Sequence, residues 1–126
     1  MKETDIQIGI VNWIRENEEQ YPELKTIYHI PNSFFGTSYG VINWLKKLGL
    51  KKGVWDLCIP LDNEVYSCAY LEIKSKTGKL SKEQIEFRNL VFSHSRKYPI
   101  FVEIRDIDEG ITFIARYLGL EEEDER

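Results

Sequence analysis

The stretch Val54-Trp55-Asp56-Leu57-Cys58-Ile59-Pro60, followed by Leu61-Asp62-Asn63-Glu64 and then by Val65-Tyr66-Ser67-Cys68-Ala69-Tyr70-Leu71-Glu72-Ile73-Lys74-Ser75, decides the fold. It reads as two strands joined by a polar turn, a β-hairpin with a moderate loop. Side chains alternate faces along a strand. Ala69, Leu71 and Ile73 therefore share an apolar face, as do Leu57 and Ile59, while Cys68, Tyr70, Glu72 and Lys74 point the other way with Asp56 and Cys58. A hairpin symmetric about Glu64 puts Asp56 directly opposite Glu72, with Lys74 one step along the same face. Like charges facing each other across a strand pair destabilise it unless something sits between them. A hard divalent cation is the simplest such object, since carboxylate oxygens are its preferred ligands. A Glu-x-Lys on its own is more often an exposed ion pair; Asp56 at hairpin register is what sets this one apart.

Outward from the hairpin the chain alternates helix and strand. Residues 4–18 carry Ile6, Ile10, Trp13 and Ile14 on one helical stripe, and Tyr21-Pro22 ends that helix. Thr26 to Ile30 is a short β-branched and aromatic run, read as a strand. Pro31-Asn32-Ser33 opens a loop, after which Ser38 caps a second helix with Val41, Leu45 and Leu48 as its expected buried face and Gly49 as its stop. Beyond the hairpin and Gly78, a third helix runs from Ser81 to about Arg96, Pro99 to Ile104 is a strand, and Asp106 or Asp108 begins a last helix ended by Gly119. The order α-β-α-β-β-α-β-α predicts a single α/β domain over residues 1–120, a mixed sheet flanked by helices.

At 126 residues the chain holds one hydrophobic core. No apolar run is long enough to span a bilayer, and the N-terminus does not read as a signal peptide. Cys58 and Cys68 form neither a disulfide framework nor a zinc set, which predicts a reducing, cytoplasmic setting. The formal net charge of −4 argues at first against a nucleic-acid partner. Its distribution reverses that reading. Residues 121–126 hold five acids and one base and are expected to be a disordered, solvated tail, whereas residues 46–97 hold 11 Lys and Arg against 6 Asp and Glu.

The run Gly49-Leu50-Lys51-Lys52-Gly53-Val54-Trp55-Asp56-Leu57, then Tyr70-Leu71-Glu72-Ile73-Lys74, then Gly78-Lys79-Leu80-Ser81-Lys82-Glu83-Gln84 resembles the VRR-NUC domain, the virus-type replication-repair nuclease branch of the PD-(D/E)XK superfamily. The resemblance covers about residues 3 to 118 and implies a restriction-endonuclease-like core. It implies that Asp56 and Glu72 are metal-binding carboxylates, that Lys74 is the catalytic lysine, and that Gln84 belongs to the active site. The Ile73 backbone carbonyl would complete the metal site, and Glu3 resembles the first-helix acid that supports the metal. His29-Ile30-Pro31-Asn32 resembles the strand and Pro-Asn loop of these proteins. Trp55 departs from the usual proline before the aspartate, and Ser33 stands where an acid commonly follows Pro-Asn. Ser81-x-x-Gln84 is equally a capping box, and Thr4-x-x-Gln7 a second one; both roles stay open for Gln84.

By that resemblance the chain is a Mg²⁺- or Mn²⁺-dependent endodeoxyribonuclease, leaving 5′-phosphate and 3′-hydroxyl ends. Substrate contact is expected from Lys46, Lys47, Lys51 and Lys52 before Asp56 and from Lys76, Lys79 and Lys82 after Lys74. Lysines placed this way bind phosphate without reading sequence, so structure-selective cutting is expected. Stand-alone domains of the family look like homodimers acting on branched DNA such as four-way (Holliday) junctions, in replication, recombination or repair. Phe34, Phe35 and Tyr39 are candidates for such an interface. The rival expectation is a non-catalytic or partner-dependent DNA-binding module on the same fold.

Overall fold

The structure is a computed structural model and describes residues 1–31 and 38–120. Helix α1 (Glu3–Asn17) is followed by a 3-10 turn (Pro22–Thr26), strand β1 (Tyr28–His29), helix α2 (Tyr39–Lys47), strands β2 (Leu57–Ile59) and β3 (Ala69–Ile73), helix α3 (Lys82–His94), strand β4 (Ile100–Ile104) and helix α4 (Ile107–Leu118). The strands form one mixed sheet in the order β1-β2-β3-β4, antiparallel except for the parallel pair β3-β4. This is the predicted α/β architecture, in the predicted order.

Leu57 pairs with Leu71, Cys58 with Tyr70 and Ile59 with Ala69, so the hairpin is symmetric about Glu64. The connection folds on itself through Asn63, whose Oδ1 accepts the amides of Val65 (2.9 Å) and Tyr66 (2.8 Å). An Asx-type turn of this kind sets the register of the strands that flank it.

The core lies on one side of the sheet. Leu57, Ile59, Ala69, Leu71, Ile73 and Ile104 from the strands meet Ile6, Ile10 and Ile14 of α1 and Ile114 and Ala115 of α4. Gly110 permits the close crossing of these two helices, since a Cβ there would lie 2.4 Å from Ile10 Cδ1. Asp106 caps α4 through the Glu109 amide (2.7 Å), and Gly119 ends it in the left-handed region at φ 72°.

The opposite side is held by rings. Tyr70 and Phe101 stack at 4.8 Å, Phe87 of α3 meets Tyr70 edge-on at 5.6 Å, and Trp55 meets Phe101 at 4.9 Å. Gln84 is the buried residue of α3, while Ile85, Leu90 and Phe92 are exposed or nearly so.

Three expectations are corrected. Thr4-x-x-Gln7 is not a capping box: Lys2 is the N-cap of α1, no side chain caps it, and Gln7 Nε2 lies against His29 Nδ1 instead. The first strand is confined to Tyr28–His29, because Pro22 starts a 3-10 turn that takes Thr26, whose Oγ1 donates to the Glu23 carbonyl (2.8 Å). Ser38 does cap α2, but the expected buried face does not exist: Val41 and Leu48 are exposed, as is Trp44, and no α2 residue is buried. Amphipathic spacing specifies an apolar stripe without specifying that the same chain covers it. Asn32, Ser33, Phe34, Phe35 and the tail 121–126 lie outside the described residues.

Candidate active site

β2 begins one residue after Asp56, so the hairpin register carries Asp56 just past the strand end, opposite Glu72. The two residues interlock. The Asp56 amide donates to Glu72 Oε1 (3.2 Å), and Asp56 Oδ2 accepts the Ile73 amide (2.8 Å). A strand residue's amide and carbonyl leave on the same side, so the Ile73 carbonyl also leaves β3 toward Asp56. Lys74 Nζ stands 3.4 Å from Glu72 Oε2.

Glu72 is 3 % exposed and Gln84 7 %. Gln84 Nε2 donates to Glu72 Oε2 (2.5 Å), while its Oε1 accepts the Ser81 amide (2.8 Å) and its own amide donates to Ser81 Oγ (3.1 Å). The capping box forms through Oε1, and Nε2 of the same amide group holds Glu72 at the same time. Trp55 strengthens the arrangement, because its Nε1 donates to the Gln84 carbonyl (3.2 Å) from a fully buried position. Gly53 makes the approach possible: at φ 86°, its Cβ would sit 2.3 Å from the Glu83 carbonyl oxygen.

Burial pushes both acids upward. Glu72 rises to about 7, chiefly from burial and then from the Asp56 charge, against the opposing pull of Lys74 and Gln84. Asp56 is raised by burial, opposed by the Ile73 amide and by the charges of His29 and Lys74. Two carboxylates that hold protons too tightly, with one lysine beside them, form a site deficient in positive charge. Two carboxylates and a main-chain carbonyl are hard oxygen donors suited to Mg²⁺, which keeps several waters and does not need a protein cage. Among the described residues no three metal-binding side chains gather into such a cage.

These groups open into a cleft of about 790 Å³, walled by one face of α1 (Glu3, Gln7, Val11 and Arg15) and by His29, Lys52 and Gly53. Glu3 reaches the site, but its Oε2 accepts the Ser75 amide (3.0 Å). His29 Nδ1 lies 2.8 Å from the Asp56 carbonyl and 3.0 Å from Gln7 Nε2; as donor to the carbonyl it ties β1 to the Asp56 backbone, beside α1. Of the seven lysines expected to contact substrate, Lys52 lines the cleft; Lys46, Lys47, Lys51, Lys76, Lys79 and Lys82 are exposed outside its lining. Arg15 was not singled out by sequence, although it shares a helical face with Glu3 and Gln7 at four-residue multiples, and that spacing was the available signal.

No protein-family model and no curated protein matches the chain. Among solved structures, one described as a VRR_NUC domain protein matches with a TM-score of 0.70 at 22 % identity, over 95 % of this chain and 90 % of that one. The fold of this chain is therefore that of a VRR_NUC domain protein.

Proposed function

We propose that this chain is a VRR-NUC-type, divalent-cation-dependent DNA endonuclease, selective for structure and acting on branched DNA such as four-way junctions in replication, recombination or repair. The observation that carries the reading is the interlocked pair Asp56 and Glu72 with Lys74 3.4 Å from Glu72, opening on a cleft. The likeness in fold supports it.

Asp56, Glu72 and the Ile73 carbonyl would hold Mg²⁺ or Mn²⁺, with Glu3 as a further candidate from α1. When bound, the cation supplies charge neutralisation at the phosphate and lowers the pKa of coordinated water. The chain's own residues do the rest. Lys74 orients the attacking water and contacts the scissile phosphate. Gln84 keeps Glu72 aimed at the cleft through its 2.5 Å bond. Lys52 in the cleft wall, with Lys46, Lys47, Lys51, Lys76, Lys79 and Lys82 exposed outside its lining, would supply phosphate-binding charge that carries no base readout.

The active form is a homodimer. The stripe Val41, Trp44 and Leu48 has exposures of 47, 60 and 67 %, and a nine-residue helix is marginal in water without a covering partner. A second copy across α2 would provide that cover; light scattering of the full chain tests it.

The decisive experiment is Mg²⁺- or Mn²⁺-dependent cutting of supercoiled and four-way-junction DNA, beside Asp56→Ala and Lys74→Ala. Cutting by the unmutated chain and its loss in both variants is the expected result. Binding without cutting by the unmutated chain would leave only a DNA-binding module.

A further inference from the structure

Immediately after Lys74 the chain makes a tight turn, Ser75 to Gly78, closed by the Gly78 amide on the Ser75 carbonyl (3.1 Å). The turn is gripped from two sides. Arg105, just past the end of β4, sends Nη1 to the carbonyls of Ser75 (2.6 Å) and Gly78 (2.8 Å), and its Nη2 to Glu103 Oε1 (2.8 Å). Its own amide is anchored on Glu109 Oε1 (2.8 Å). From α1, Glu3 Oε2 takes the Ser75 amide. One nitrogen, Nη1, thus holds both ends of the turn while the second, Nη2, is fixed by Glu103; a lysine ammonium has no second nitrogen for that anchor.

The peptide plane gives this grip a consequence. The carbonyl and amide of one trans peptide point in opposite directions. With the Ser75 and Gly78 carbonyls drawn onto Arg105, the amides of Lys76 and Lys79 point away from it, and neither has a hydrogen-bond partner among the described residues. Both lysine side chains are exposed. The carboxylates nearest the turn are already engaged, Glu3 by the Ser75 amide and Glu103 by Arg105. Two exposed lysines, each with an amide open to solvent, thus stand on one short turn held just after Lys74.

We infer that Arg105 is a positioning residue for nucleic-acid binding: it holds the Ser75–Gly78 turn so that Lys76 and Lys79 take a backbone phosphate beside the cleft. The inference rests on the nuclease reading and assigns a phosphate contact within it. Arg105 touches no substrate; it acts through the turn.

The test uses the full chain and a DNA duplex in EDTA, with affinity measured across a salt series. Each phosphate contact adds about 0.9 to the slope of log affinity against log salt. Arg105→Lys keeps the charge and loses the fork. It should make the slope shallower by about 1 to 2, and in cation-supplemented cleavage raise KM about fivefold with kcat much less altered. Lys76→Ala/Lys79→Ala should give the same loss of slope, and adding Arg105→Lys to it should change the slope no further. A merely structural Arg105 would lower Tm and leave the slope alone.

An Arg105→Lys slope equal to the unmutated one overturns the inference, as does full additivity with the lysine pair. The lysine pair decides independently of whether Arg105→Lys folds: an unchanged slope in Lys76→Ala/Lys79→Ala overturns it. An unmutated chain that neither binds nor cuts DNA overturns the nuclease reading itself, whereas one that binds and cuts with unaltered variant slopes overturns only this assignment.

Discussion

The two faces of the sheet are built on different principles. The α1–α4 face is sealed by aliphatic side chains, with Ile6, Ile10, Leu57, Ile59, Leu71, Ile73, Ile104 and Ile114 each at 1 % exposure or less. The α3 face is held by a few aromatic contacts and by Gln84, and at its edge lie Asp56 and Glu72, two carboxylates with one lysine between them and neutrality. Aliphatic close packing contributes stability in proportion to the area removed from water. Buried acids detract from it unless paired or bound to a cation. One face holds the fold together, and the other carries the buried charge.

The comparison breaks most visibly if activity and stability do not separate. Asp56→Ala should reduce cleavage by at least about 10²–10³-fold, the range for losing one electrostatic element of an active site. Its Tm without added cation should change little, because relief of the half-buried acid beside Glu72 is offset by the loss of the acceptor for the Ile73 amide. A large Tm loss would show that Asp56 belongs to the framework.

On the sealed face the converse holds. Ile10→Ala should cost about 2–5 kcal/mol in denaturant unfolding, as a large-to-small core change does, while the folded fraction cuts at the normal rate. Gly53→Ala sits at the seam. A positive φ and a Cβ 2.3 Å from the Glu83 carbonyl should cost about 1–3 kcal/mol and, unlike Ile10→Ala, should also impair cleavage by moving Gln84 off Glu72.

A smaller effect comes from pH. Folding raises Glu72 from the ordinary 4.5 to about 7, so between those values the folded chain binds more protons than the unfolded one. Stability without added cation should therefore fall as pH rises from about 4.5 to about 7, by several degrees in Tm. Glu72→Gln should flatten that fall, and Mg²⁺ should raise Tm at pH 8 far more than at pH 5. A Tm that climbs through this window would mean Glu72 is ionised in the fold without help. Smallest is Trp44→Asp on α2: monomer stability should change by no more than about 0.5 kcal/mol, the usual range for a surface change, while light scattering shifts toward the monomer.

The features read correctly were those governed by local geometry. Hairpin symmetry about Glu64 needs only strand alternation and a polar turn, and it placed Asp56 against Glu72. Ser81 and Gln84 are three residues apart on a helix start, so their mutual capping is local too. Misread features depended on distant neighbours. Val41 and Leu48 have the spacing of a buried stripe, but whether a stripe is covered depends on where the other elements lie. His29 came to the Asp56 carbonyl because β1 pairs with β2, and Arg15 came to the cleft because α1 crosses the sheet at the angle that Gly110 allows.

By itself, the sequence determined the element order, the single α/β domain, and a carboxylate pair with its lysine, because alternation and register act over a few residues along one chain. Only the tertiary structure decided that Gln84 caps α3 and holds Glu72 together, that Trp55 pins α3 beside Asp56, that α2 stands uncovered, and that Arg105 grips the turn after Lys74. Those contacts join residues 12 to 30 positions apart whose meeting depends on how the sheet, α1 and α3 pack. Close packing of whole elements, not any local pattern, brings such groups within hydrogen-bonding distance.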